Sequence, residues 1–101
     1  MNNIFETMCI YAPKGHKLKV TEQTFNNGYD LDKELITKYL EINKEYTVNF
    51  TNIGQSHTDV ILKEFPDIAF NSVNFIDVNP VSKEDINKHP FIKSHPFLIK
   101  K

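Results

Sequence analysis

A chain of 101 residues that is 40% hydrophobic, with eight Phe and four Tyr, is long enough for one buried core and too apolar to stay disordered. All twelve basic residues are Lys, so the side chain best suited to bidentate recognition of phosphate and guanine edges is missing; this argues against sequence-specific nucleic-acid binding and phosphoryl chemistry. The single cysteine, Cys9, excludes an internal disulfide, and no stretch approaches the ~20 apolar residues of a membrane span, which predicts a soluble protein of a reducing cytosol.

In chain order, residues 4–11 (IFETMCIY) are rich in apolar and β-forming types and predict a strand. APKG then predicts a type I turn with Pro13 second and Gly15 fourth. HKLKVTE alternates, with Leu18 and Val20 facing one way and Lys17, Lys19 and Thr21 the other, as in a half-buried strand. FNNGYD predicts a loop in which Asn27-Gly28 favours positive φ. Asp30 caps a short helix over 31–40; Leu31, Leu35 and Tyr39 recur every four residues, and Ile36 and Leu40 widen the stripe. Asp32 and Glu34 lie near the positive end of its dipole.

EYTVNF alternates again, with Tyr46, Val48 and Phe50 expected inward. TNIGQSH is a loop, and TDVILKEF a strand with Val60 and Leu62 on one face. PDIAFNSVNFIDV opens on a break at Pro66 and ends in a strand in which Val73 and Phe75 alternate with Ile76 and Val78. SKEDINK carries a Ser82/Asp85 capping pattern and predicts one or two helical turns that Pro90 ends. The tail repeats His-Pro-Phe at 89–91 and 95–97. With Phe91, Ile92, Phe97, Leu98 and Ile99 it is too greasy to stay exposed. The expectation is an extended strap over the last strand, alternatively an arm exchanged between two chains.

Charge is uneven along the chain. Residues 30–67 carry eight acids against four Lys, a net −4, and residues 79–101 carry five Lys against Glu84 and Asp85, a net +3. An acidic middle and a basic tail steer partners of opposite sign.

The run HKLKVTE, the loop GY, EYTVNF, TDVILKEFP and FNSVNF together resemble the SH3-like small barrel over about residues 15–77. That resemblance implies a mainly β (α+β) fold: a barrel of about five strands, a 3₁₀-like turn before the closing strand, one short helix near 31–40, and a C-terminal helical turn plus strap. The chain reads as a single domain over 1–101, with a core at about 4–78 and the strap at 79–101. The stretch EYTVNF…TDVILKEFP…FNSVNF also resembles short proteins of phages and prophages. Those chains often carry Gly before the Lys of the turn where Asn43 stands here, and Asn tolerates the left-handed conformation.

Catalytic and metal-binding arrangements are weakly supported. Cys9 lies in an apolar run with no His close by and reads as a small buried hydrophobe. His16, His57, His89 and His95 lack the three- or four-residue helical spacing of metal ligands, although His57 and Asp59 share a strand face. Glu64 and Asp67 read as strand-end caps rather than an acid–base pair. No phosphate loop, nucleophile elbow or HExxH occurs. Aromatics interleaved with Lys fit a core better than a single-strand stacking platform; Phe25 and Tyr29 are the loop exceptions, and in an SH3-like barrel that loop borders the usual groove.

The expectation is therefore a non-enzymatic module without cofactor or metal that binds a protein partner in the cytoplasm of a bacterial host. Its candidate binding residues are Phe25, Tyr29, Asp30, Asp32, Glu34, Phe91 and Phe97, and it is a monomer or an arm-exchanged homodimer. The phage resemblance implies an inhibitor of a bacterial defence nuclease, of the anti-CRISPR type, whose acidic face competes for a nucleic-acid channel. The alternatives are a small RNA- or DNA-binding module using Lys14, Lys17, Lys19 and the tail lysines, and a subunit of a larger assembly.

Overall fold

Leu18 and Val20 are both fully buried, and the five-stranded antiparallel sheet is assembled around them. The computed structural model describes residues 7–94. The strands are β1 (Lys17–Lys19), β2 (Glu45–Ile53), β3 (Thr58–Leu62), β4 (Phe65–Asn71) and β5 (Ile76–Asp77), in the spatial order β4-β3-β2-β1-β5. Short helices α1 (Glu22–Phe25) and α2 (Asp30–Tyr39) lie between β1 and β2. A 3₁₀ turn (Ser72–Asn74) precedes β5, and α3 (Lys83–Lys88) and α4 (Pro90–Lys93) follow it. The fold is mainly β with a few short helices, as the alternation implies.

The sheet is open. No ladder joins β4 to β5 among the described residues, whereas the sequence pattern predicts a closed SH3-like barrel. Closure demands staggered pairing around the whole circumference, and β1 and β5 have three and two residues. The long strand β2 serves both halves: Glu45–Thr47 pair with β1, and Val48–Ile53 pair with β3.

Two register shifts explain where alternation misleads. Val48 pairs with Leu62 and Phe50 with Ile61, so Asn49 is an extra residue on β2. The phase reverses there, and Phe50 faces out at 52% exposure while Thr51 is buried; the sequence predicts Phe50 inward. On β4 the pairing jumps from Ala69 to Phe65 as β3 advances one residue, from Ile61 to Leu62. Pro66 falls in the bulged stretch of an edge strand, where its missing N–H removes no ladder bond, so the strand runs through the expected break.

Three other elements differ from expectation. Residues 7–11 are not a strand; Met8 N–H donates to the Phe75 carbonyl at 2.8 Å, and Cys9 N–H donates to the Asp77 carboxylate, which also meets His16 Nε2 at 2.8 Å. Residues 4–6 lie outside the described residues. The Pro13 turn is shifted by one residue: Pro13 accepts from His16 N–H, so Gly15 is third and needs its φ of +94°. Thr21 and Thr24 exchange side-chain and backbone bonds in a capping box, and this starts α1 where a loop is expected. Asn43 adopts φ +69°, as the turn requires.

The core joins Leu18, Val20, Ile36, Val48, Val60 and Leu62 to a run of aromatic contacts. Phe70 meets Phe65 and Phe75 edge-on at 6.4 and 6.1 Å, and Phe65 reaches Tyr39 of α2 at 5.6 Å. Each such side chain gains ~1.5–3 kcal/mol on burial, which docks a helix too short to persist alone. Leu35, Ile36, Tyr39 and Leu40 form its inner stripe. Leu31, expected within that stripe, is 66% exposed, because the stripe begins one turn later.

The C-terminal region is helical rather than extended as far as Lys93. Ser82 Oγ accepts from Asp85 N–H to start α3, as the capping pattern predicts. Pro90 then opens α4 at a position where a missing N–H is harmless. The second His-Pro-Phe, with Phe97, lies outside the described residues. No helix of the described residues is long and apolar enough to cross a membrane.

Candidate functional site

Three loops meet at one end of the sheet. The α1–α2 turn brings Asn27, Gly28 and Tyr29, the β2–β3 hairpin brings residues 54–57, and the 3₁₀ turn brings Asn71 to Val73. Between them lies a groove of about 670 Å³.

The groove is held from behind by amide side chains. Asn74 is fully buried, and its Nδ2 donates to the carbonyls of Thr24 (2.9 Å), Phe25 (3.4 Å) and Asn27 (2.9 Å). Asn27 Nδ2 donates to the Val73 carbonyl at 2.8 Å. Asp32 accepts from Tyr29 N–H at 2.9 Å and from Asn71 Nδ2 at 3.1 Å, so one carboxylate caps α2 and ties it to the end of β4. Gly28 has φ +80°, and a Cβ there would stand 2.7 Å from Asp32 Oδ2. Gly28→Ala is therefore expected to cost roughly 1–2 kcal/mol, readable as a lower denaturation midpoint.

The rim is exposed and acidic. Tyr29 is 77% exposed, and Leu31, in the first turn of α2, is exposed as well. Asp30 and Glu34 are exposed and make no ion pair among the described residues. On the hairpin side His57 Nε2 lies 3.2 Å from Asp59 Oδ1.

The candidate residues divide accordingly. Tyr29 lines the groove, Asp30 follows it in the chain and Glu34 lies one helical turn further along α2, while Asp32 holds the loops together. Phe25 is corrected: it belongs to α1, is half-buried against the core, and lines a separate shallow hollow with Ile36, Leu40 and Ile42. Phe91 is distant in the chain and stacks on Tyr11 at 6.2 Å. Gln55, His57 and Asn71 of the groove lining are additions.

Residues 17–95 match the protein family described as Bacteriophage T4 protein Y07B. The chain belongs to that family. No curated protein and no solved structure matches it. The matched span runs from β1 through α4 and contains the three loops of the groove and their supports, while Thr7 and Ile10 of its lining precede it. The phage-type resemblance holds at the level of this family, and no relative supports the SH3-like assignment beyond the strand pattern.

Cys9 and Glu64 are shifted by their surroundings. Burial pushes the Cys9 thiol up; a backbone hydrogen bond at Tyr11 opposes this and the Asp77 charge adds to it, so the thiolate is disfavoured. Burial also pushes Glu64 up, but Thr47 N–H, its own N–H, the Thr47 hydroxyl and Lys17 outweigh that and hold the carboxyl below its usual value. Glu64 thereby supplies the acceptor that β2 lacks at Thr47, at 3.0 Å. No group of three metal-ligating side chains occurs among the described residues.

Proposed function

We propose that this phage-family protein is a binding module for another protein, and that its docking face is the groove with its Tyr29–Leu31 rim. The observation that carries this reading is Tyr29: a large amphipathic side chain, 77% exposed, standing beside a groove whose backbone is fixed by Asn74 and Asp32. Exposed Tyr on a preorganised surface is a common anchor of protein recognition. Unpaired Asp30 and Glu34 beside it favour a basic partner and fast encounter. A host effector that handles nucleic acid presents such a basic surface, and an inhibitor of a defence nuclease, of the anti-CRISPR type, is the concrete form we favour.

The test is affinity purification from lysate of a bacterial host with intact protein, Tyr29→Ala and Asp30→Lys/Glu34→Lys, followed by mass spectrometry and reconstitution. We expect a nucleic-acid-handling protein to be retained by the intact chain, and to be reduced about tenfold or more by either variant, within the range of hot-spot truncations. Equal retention by all three, or tight salt-dependent binding of bare RNA or DNA by the purified chain, would refute the reading.

A further inference from the structure

On the other side of Ile53, which lines both concavities, lies a cleft of about 710 Å³. We infer that this cleft docks an extended segment of a partner protein, one carrying apolar side chains interleaved with carboxylates.

Shape points to an extended occupant. Five consecutive β2 residues, Asn49 to Ile53, line the cleft. Five residues of strand cover ~17 Å, the length of an extended segment rather than of a compact small molecule. On the edge of this part of β2 that faces away from β3 the described residues pair no strand: β1 pairs only with Glu45–Thr47, and the chain before it touches this edge through Gly15 N–H on the Val48 carbonyl and through Thr51 Oγ1, which donates to the Ile10 carbonyl at 2.7 Å. The opposite wall is α3–α4. It is fixed by His89 Nε2 on Thr51 Oγ1 at 2.6 Å and by the stack of Tyr11 on Phe91, so the cleft exists before anything enters it.

Chemistry narrows the occupant. Phe50, turned outward by the Asn49 bulge, supplies an apolar floor. The side-chain amides of Asn49 and Asn52 have no hydrogen bond among the described residues, and each offers donors and an acceptor to a peptide main chain. Lys14 and Lys88 stand against a single acid, Asp85. Lys14 has no ion pair among the described residues, and Lys88 has only an exposed contact of 3.8 Å with Glu84. The positive balance selects carboxylates, and the alternation of apolar floor and amides suits the two-residue period of an extended peptide.

The experiment is fluorescence anisotropy on the full chain with a labelled probe, Glu-Phe-Glu-Ile-Glu-Phe-Glu, and its counterpart with Lys for every Glu. The acidic probe is expected to bind saturably and at least about tenfold more tightly than the lysine probe, the difference worth ~1.4 kcal/mol. Phe50→Asp should abolish binding, and Lys14→Glu/Lys88→Glu should weaken it about tenfold. Both variants change exposed side chains and should melt like the parent. Tyr29→Ala should leave probe affinity unchanged, which separates this cleft from the groove. No saturable binding, equal affinity for the lysine probe, or indifference to Phe50→Asp would overturn the inference. A gain of affinity in Phe97→Ser/Leu98→Ser would show the chain's own tail competing for the cleft, and would overturn the assignment to a partner.

Discussion

Asn74→Ala is expected to lower stability by about 2–4 kcal/mol, because the two amide protons now shared among one buried and two part-buried carbonyls would be lost. For a domain of this size that is a fall of roughly 10–25 °C in melting temperature. The effect should be local as well as global. Thr24, Phe25 and Asn27 would lose the donor that fixes their turn, so amides over residues 24–29 should exchange faster with solvent deuterium even under stabilising conditions. Asn74→Asp is expected to be worse, since it removes the donors and points a carboxylate at the same carbonyls. The Asn74 oxygen has no hydrogen-bond partner among the described residues, so the donor side of the amide is what the fold uses. If Asn74→Ala melts within a degree or two of the parent, the groove is not held by this residue, and the preorganisation argued for Tyr29 falls with it.

The dependence of the groove on Asn74 also shows why the site was only half legible from the chain. Tyr29, Asp30 and Glu34 could be placed near an exposed turn from local rules: Asn27-Gly28 favoured positive φ, and the acidic residues fell in the first turn of α2, although the apolar stripe was expected to begin at Leu31, one turn too early. What could not be read was that residues 54–57 and 71–73 would come to the same place, because their meeting depends on β2, β3 and β4 pairing in register. The elements followed the same division. Val60 and Leu62, Leu18 and Val20, and the Ser82 cap were fixed by spacing alone. Phe50 was misplaced because a one-residue bulge reverses the alternation, and nothing in YTVNFT marks Asn49 as the extra residue. Pro66 was taken as a break because its position in a bulge of an edge strand is a tertiary fact. The barrel expectation failed on the shortness of β1 and β5, since alternation around Leu18 and Phe75 extends further than the pairing does.

A neutral His89 should hold the C-terminal helices in place, and acid should loosen them. The tautomer follows from its neighbours. Phe91 N–H donates to Nδ1 at 3.1 Å, so Nδ1 carries no proton. Thr51 Oγ1 donates to the Ile10 carbonyl at 2.7 Å, so at 2.6 Å it must accept from Nε2–H. A second proton would have to sit on Nδ1, against the N–H that it caps at the start of α4. Burial, by desolvating the charged form, also pushes the pKa of His89 down. The charged groups that line the same cleft are Lys14, Asp85 and Lys88, and the Tyr11 ring packs edge-on at 5.8 Å. With the folded value below the unfolded ~6.5, the contribution of His89 is complete above that pH. It is lost as pH falls through 6.5 toward the folded value, because the unfolded chain takes up the proton first. Stability measured by urea titration at successive pH values should therefore decline over that window with a slope of less than one proton. His89→Asn, which keeps a strong capping side chain, should remove that part of the slope. His89→Ala should cost about 1–3 kcal/mol at neutral pH by leaving Thr51 and the Phe91 N–H without a partner, with the loss of protection concentrated in residues 83–94. An unchanged acid limb in His89→Asn would mean that another group titrates there and that the imidazole is not the latch.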